Sequence, residues 1–260
     1  MEQENRLDFL LKYLIDRQNA SIPVPSSYAQ RREMLRALVN ERPPSPVSED
    51  FLKIQDAFLQ EEKLQRGIVR LADIPAYGDD SRLSLWQGDI TRLEVDAIVN
   101  AANSKLLGCF VPGHHCIDNA IHTFAGVQLR QACYEVMKRQ GHDEPTGTAK
   151  ITSAFNLPSR YVLHTVGPIV QGELTGQHKE ELADCYRSCL ALAVEHGYES
   201  VAFCCISTGV FGFPQKEAAE IAVRTVQTLL TQEIEIRRIV FNVFKDEDYL
   251  FYKNTMLSRT

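Results

Sequence analysis

Long apolar runs are missing from this chain: nothing in its 260 residues approaches the roughly 20 that a membrane-spanning helix needs. Met1-Glu2-Gln3-Glu4-Asn5 lacks the basic-then-apolar layout of a secretory leader, so a cytoplasmic location is expected. Positive charge is the minority: 28 Lys and Arg face 34 Asp and Glu, for a net charge of −6. That balance argues against charge-driven binding to nucleic acid or an anionic membrane, a local basic pocket excepted. No internal repeat, low-complexity tract, zinc-finger spacing, HExxH, Walker A or GxGxxG motif occurs. The cysteine count is odd, at seven. Without a leader, this fits free thiols and a metal site in a reducing compartment rather than a disulfide framework.

What is present is an ordinary globular composition, 44% hydrophobic and 24% charged. The length suits one large domain, or one domain with an appendage. Residues 1–80 read as helical and 81–260 as a separate α/β unit. Leu7, Leu10, Leu11, Leu14 and Ile15 recur at helical spacing. Pro23 and Pro25 break the chain before a second helix, about Ser27 to Arg42, which Pro43-Pro44-Ser45-Pro46 stops. Ser48, with Glu49 and Asp50 behind it, opens a third helix to about Arg66, with Phe51, Leu52, Phe58, Leu59 and Leu64 as its stripe. These helices read as an appended cap serving packing and solubility; a lid or docking element is the rival.

Beyond residue 80 strands and helices alternate. Strands are expected at 82–87, 95–100, 148–153, 161–165, 200–206 and 238–243. Helices are expected at 117–126, on to about 139, at 177–197, 216–230 and 246–256. This order predicts an α/β domain with a largely parallel sheet, whose ligands lie outside the carboxyl ends of the strands. Cys133, Cys185, Cys189, Cys204 and Cys205 fall on helix or strand patterns and read as core.

Chemistry concentrates in Cys109-Phe110-Val111-Pro112-Gly113-His114-His115-Cys116. Thiolate sulfur and imidazole nitrogen are the ligands tetrahedral zinc prefers, and Pro112-Gly113 can turn the chain so that both flanks converge. Cys109, His114 and Cys116 make three ligands, the number that leaves a catalytic zinc an open position. His115 is the alternative nitrogen, and burial as small hydrophobes is the alternative fate of the thiols. Three more candidates follow strands: Asp89, Asn103 and Ser207-Thr208-Gly209-Val210-Phe211-Gly212. The last is glycine-containing and precedes a helix, as a phosphate cradle does, although taken alone a plain strand-to-helix loop explains it better. Asp89 and Asp118 also fit as helix caps, and Asn103 as a turn residue.

Four segments together resemble a macrodomain: Trp86-Gln87-Gly88-Asp89-Ile90-Thr91, Asp96-Ala97-Ile98-Val99-Asn100-Ala101-Ala102-Asn103, Ile117-Asp118-Asn119-Ala120-Ile121-His122 and Ile206-Ser207-Thr208-Gly209-Val210-Phe211-Gly212. They occur in the family's order over about 82–257. The family's usual glycine run is replaced by Cys109 to Cys116. With the helical extension, this departure is similar to the zinc-dependent macrodomain class of microbial protein-ADP-ribosyl hydrolases.

The resemblance implies a three-layer α/β/α macrodomain sandwich that binds ADP-ribose. It assigns the adenine amino group to Asp89 with the Ile90 N–H beside it. The diphosphate falls to the Ser207, Thr208, Gly209, Val210, Phe211 and Gly212 backbone, with Cys116, Ile117 and Asp118 opposite. Phe211 and Asn103 fall near the distal ribose, and Asp118 matches the acidic position of the catalytic loop. One zinc ion on Cys109, His114 and Cys116 is expected, orienting the ribose more than activating water, because two thiolates make the ion electron-rich. Asn103 and Asp118 are the expected catalytic residues. The implied reaction is hydrolytic removal of mono-ADP-ribose from a protein side chain, with a lipoyl-carrier-type protein as the suggested partner. A non-catalytic ADP-ribose reader and a zinc-stapled interaction domain are the competing readings; the first needs no open metal site and the second needs four protein ligands.

Overall fold

The computed structural model describes residues 1–18, 22–232 and 234–258. Three helices come first: α1 (Gln3–Gln18), α2 (Tyr28–Glu41) and α3 (Glu49–Arg66). Ser27 and Ser48 cap α2 and α3, their side chains accepting from Gln30 N and Phe51 N, both at 3.2 Å. Such caps contribute about 1 kcal/mol each. Leu7, Leu10, Leu11, Leu14, Leu35, Leu38, Phe51, Phe58 and Leu59 form a small core of their own, which Val127 of the following unit joins. Leu64 departs from the expected stripe and is 69% exposed. It lies on the side of α3 opposite Phe51, Leu52, Phe58 and Leu59, and in the same last turn Arg66 reaches to Asp89 at 2.6 Å.

The remaining chain alternates as β1 (Val69–Arg70), β2 (Leu83–Gln87), β3 (Leu93–Glu94), β4 (Ala97–Ala101), α4 (Ile117–Ala125), α5 (Val127–Gln140), β5 (Ala149–Ser153), β6 (Tyr161–Thr165), α6 (Gly176–Glu195), β7 (Ser200–Phe203), α7 (Gln215–Leu230), β8 (Arg238–Val243) and α8 (Asp246–Leu257). Strands β1 and β3, two residues each and too short to carry a period, form a small parallel pair. The other six make one sheet in the order β2-β8-β7-β4-β6-β5, parallel except for β5, which pairs antiparallel at the edge. Every residue of β7 is buried, as are four of the five in β4. Burial on both faces explains why these strands read as apolar runs rather than alternating ones.

The sheet is the middle of three layers. α6, α7 and α8 pack in a row, while α4 and α5 pair with each other and contact β4 and β5 respectively. α2 and α3 then pack on α4, so the N-terminal helices cover the layer from which the expected metal loop emerges. Cys133, Cys185, Cys189 and Cys204 are buried as expected, whereas Cys205, at the mouth of β7, is half-buried. No described helix is long and apolar enough to cross a membrane.

Candidate functional site

All five parallel strands end on one side of the sheet, and the loops after β2, β8, β7 and β4 carry the candidate residues. The register Gln87↔Val243 makes β2 and β8 leave side by side, with Gly88 N donating to Val243 O at 2.9 Å. Asp89 follows one strand and Phe244 the other. Asp89 caps a single 3-10 turn at Ile90–Arg92: Oδ1 accepts from Thr91 N at 2.9 Å and Thr91 Oγ1 at 2.6 Å. Its Oδ2 takes Arg66 Nη2. The Arg66 guanidinium lies 3.5 Å from the Phe124 ring centroid, so α3 and α4 both contribute to this corner. Ile90 is buried beneath it. Phe244 is 75% exposed. An aromatic left in water beside a polar corner is the feature sequence reading missed; its only signal was its place directly after a buried strand.

The next loop, after β7, folds on itself. Gly212 N donates to Gly209 O at 3.1 Å and Phe213 N to Ser207 O at 3.0 Å. Ser207 has φ 64°, in the left-handed region that costs a non-glycine residue roughly 1–2 kcal/mol. Gly167 makes room for it: a Cβ there would stand 2.0 Å from Ser207 Oγ. Among the described residues the buried Ser207 Oγ has no hydrogen-bond partner. Thr208 Oγ1 donates to Cys205 O, while Gly209 and Val210 are exposed and Phe211 is half-buried.

The third loop, after β4, carries the Cys-His-Cys segment. Leu106, Gly108 and Gly113 all have positive φ, so the chain doubles back twice between Asn103 and Cys116. This brings the ligand atoms of Cys109, His114 and Cys116 within 4.8 Å of one another, with Cys109 Sγ 3.5 Å from His114 Nδ1. Ordinary Zn–S and Zn–N bonds at a tetrahedral angle put sulfur and nitrogen roughly 3.5 Å apart, so donor type and spacing both fit zinc. His115 is exposed and outside the group. Cys116 is also the N-cap of α4, its Sγ accepting from Asn119 N at 3.4 Å. Burial pushes the Cys116 thiol up to about 12, with the Cys109 thiol adding to the rise. Without a cation beside it the Cys116 sulfur is held as a thiol; a bound cation is what would favour its thiolate form.

Asp118 lies in the first turn of α4 and is 5% exposed. Its carboxylate accepts from Asn100 Nδ2 at 2.8 Å and Asn103 Nδ2 at 3.4 Å. Burial raises its pKa to about 6, against the pull of the Asn100 hydrogen bond and the Arg130 charge. Asn103 also donates to Gly108 O at 3.1 Å, tying the carboxylate to the backbone just before Cys109. His122 stands one helical turn on, with Nε2 3.5 Å from Asp118 Oδ1. Burial holds its pKa well below the ordinary imidazole value, so it is neutral, and neither ring nitrogen has a hydrogen-bond partner among the described residues. The pair is a contact, not an ion pair. The expected site residues thus form one track across the strand ends: Asp89 at β2, Ser207 to Gly212 at β7, and Asn103, Asp118 and the Cys-His-Cys loop at β4.

Sequence reading also missed Arg130. It looks like one more surface charge on an amphipathic helix, yet it is 4% exposed. Nε donates to Leu107 O at 2.7 Å and Nη2 to Cys109 O at 3.4 Å, while Nη1 donates to Val39 O, Asn40 O and Arg42 O. Phe110 stacks on the guanidinium at 4.2 Å. Only folding brings α2 and the Cys-His-Cys loop to this helix, so no local pattern could reveal it.

Similar proteins sharpen the picture. Residues 99–222 match the model of the Macro domain family. A protein-ADP-ribose hydrolase of Treponema medium is 53% identical over 261 residues, spanning 98% of this chain and 100% of the relative. A protein-ADP-ribose hydrolase of Staphylococcus aureus strain MSSA476 is 48% identical over 252 residues, spanning 95% of this chain and 94% of the relative. The crystal structure of a Trypanosoma brucei macrodomain in complex with ADP-ribose superposes with a TM-score of 0.64 at 30% identity, covering 84% of this chain and 94% of that one.

Proposed function

This chain belongs to the macrodomain family, and from that premise we propose that it is a zinc-dependent hydrolase that releases ADP-ribose from mono-ADP-ribosylated protein side chains. The observation that carries the reading is the convergence of Cys109, His114 and Cys116 beside the Asp118–Asn103 pair. A binding module has no need of an open three-ligand metal site next to a buried carboxylate.

The track across the strand ends suits an elongated ligand. Asp89 and the metal loop are three strands apart, about 14 Å at ordinary strand spacing. At the β2–β8 end, Phe244 offers a ring face for an adenine and Asp89 an acceptor for its amino group, with Arg66 holding the carboxylate in place. In the middle, the Ser207 to Gly212 backbone and the N-terminus of α4 aim N–H groups at a diphosphate. The strained Ser207 turn keeps that loop close to the strand, and its unpartnered Oγ is a spare donor. At the β4 end lies the distal ribose. Asn103 lies there and holds Asp118, which places an incoming water by accepting its proton or a hydrogen bond. Zinc held by Cys109, His114 and Cys116 would supply an open coordination position that polarises a ribose or phosphate oxygen.

The modified carrier is proposed to be of the lipoyl-carrier type. The hydrolase reading is tested by ADP-ribose release from a mono-ADP-ribosylated protein before and after chelation. Loss on chelation and recovery with added zinc is the expected result; tight ADP-ribose binding with no release under any condition would leave a reader module.

A further inference from the structure

The segment from Leu106 to Cys116 has no ladder or helix to hold it. Within itself it makes few backbone bonds, His114 N to Val111 O at 3.2 Å being one. Its order comes from side chains outside it: Arg36 and Asn40 of α2, together with Asn103, Asn119 and Arg130. Asn40, 1% exposed, accepts from Gly113 N at 3.2 Å and donates to Thr123 Oγ1 at 3.2 Å, linking the tip of the loop to α4. Arg36, one turn earlier on α2, donates through Nη2 to His114 O at 3.3 Å and through Nη2 and Nε to Asn119 Oδ1 at 2.8 and 3.2 Å. Asn119 in turn donates to Val111 O at 3.1 Å. Arg130 clamps Leu107 O and Cys109 O to the carbonyls that end α2. Val111, Gly113 and His114 are therefore each fixed through a residue that α2 supplies or orients.

We propose that Arg36 and Asn40 are positioning residues of the metal site: the N-terminal helical extension sets the affinity and geometry of the ion held by Cys109, His114 and Cys116. The proposal rests on the zinc reading above. Three ligands on one irregular loop are weak unless the loop is already ordered, because ion binding would otherwise have to freeze several backbone dihedrals. Arg36 fixes the backbone carbonyl of the nitrogen ligand itself. Asn40 fixes the left-handed Gly113, whose turn brings His114 back toward Cys109. Residues that orient metal ligands from one bond away typically contribute about 10–100-fold in affinity. The helices thus do more than pack and solubilise.

Cobalt(II) is the probe, because thiolate coordination in a tetrahedral field gives visible absorption that reports ligand geometry as well as occupancy. Wild type, Arg36→Ala, Arg36→Lys and Asn40→Ala would each be titrated with cobalt against a competing chelator, and each metal-free form melted. The expected result is roughly 10–100-fold weaker cobalt binding with weakened or shifted bands in Arg36→Ala and Asn40→Ala. Arg36→Lys should recover part of the loss, since one ammonium can reach one of the two acceptors. Melting midpoints of the metal-free forms should move little. If buried Asn40→Ala fails to fold, half-buried Arg36→Ala carries the test. Unchanged affinity and bands would overturn the proposal. So would a loss of binding that follows loss of folded protein, with an unaltered spectrum in the folded fraction, since that marks packing alone. A wild-type chain that takes up no cobalt and no zinc would instead sink the metal reading itself.

Discussion

A methyl group added at Gly108 meets two separate obstacles, and a neighbouring glycine meets only one. Gly108 has φ 79°, and a Cβ there would stand 2.8 Å from His122 Cγ, 2.9 Å from Cδ2 and 3.0 Å from Nδ1. Gly113, in the same loop, has φ 64° and nothing within 4 Å of the added atom. The left-handed backbone costs alanine roughly 1–2 kcal/mol at either position. The clash adds overpacking of about 1–3 kcal/mol at Gly108 alone, because the imidazole is buried and cannot rotate into solvent. Its far edge already faces Asp118 at 3.5 Å and the His164 ring at 6.3 Å between centroids. The smaller unfolded-state entropy of alanine stabilises both variants by a similar amount and cancels in the comparison. Gly108→Ala should therefore be less stable than Gly113→Ala by about 1–3 kcal/mol. Urea unfolding of both variants with chelator present reads this directly. With a slope near 3 kcal/mol per molar, the midpoints should differ by roughly 0.3–1 M. Equal midpoints would refute the reasoning, since the ring behind Gly108 would then be giving way without cost.

Two further outcomes follow from other parts of the molecule. Phe244→Ala should weaken ADP-ribose binding by about 1–3 kcal/mol, the range for a lost base–aromatic stack, and leave the melting midpoint in place because the ring is exposed; calorimetric titration reads the affinity, and an unchanged value would remove Phe244 from the adenine end. Burial pulls the His164 pKa down to about 3, well below its unfolded value, so the unfolded chain binds the extra proton. The stability that neutral His164 contributes is complete above about pH 6.5 and is lost as pH falls toward 3, with a slope approaching about 1.4 kcal/mol per pH unit. In His164→Gln that slope should flatten by up to one proton, seen as urea midpoints compared at about pH 5 and about pH 7 with chelator present; identical slopes would mean that His164 is not the group responsible.

Much of this architecture could be read from local patterns because it is enforced locally. Ser27 and Ser48 cap helices within three residues of themselves, and the doubly buried strands β4 and β7 announce themselves as apolar runs. The Cys-His-Cys group was legible for the same reason, since Pro112-Gly113 closes the loop over eight residues. The antiparallel direction of β5 was legible from spacing rather than composition, since the short link from Ser153 to Tyr161 cannot make the crossover that a parallel neighbour needs. The exposure of Leu64 follows from the helical period, because at 100° per residue it lies roughly 180° around α3 from the face that Phe51, Leu52, Phe58 and Leu59 share. Arg66, Arg36, Asn40 and Arg130 were invisible as site residues because each acts on groups at least 21 residues away. A charged residue on a helix carries no mark of whether its far end is solvent or a backbone carbonyl. The position of Arg130 under the Cys-His-Cys loop exists only once α2, α4 and α5 have packed.

The central claim is that the ion at Cys109, His114 and Cys116 serves turnover rather than folding. The most direct test is Cys109→Ala, assayed for ADP-ribose release from a mono-ADP-ribosylated protein alongside its metal content, its melting midpoint and its affinity for free ADP-ribose. The account predicts a folded, ligand-binding protein without zinc whose release rate has fallen by at least about 100-fold. A zinc-free variant that still releases ADP-ribose at the wild-type rate would contradict it.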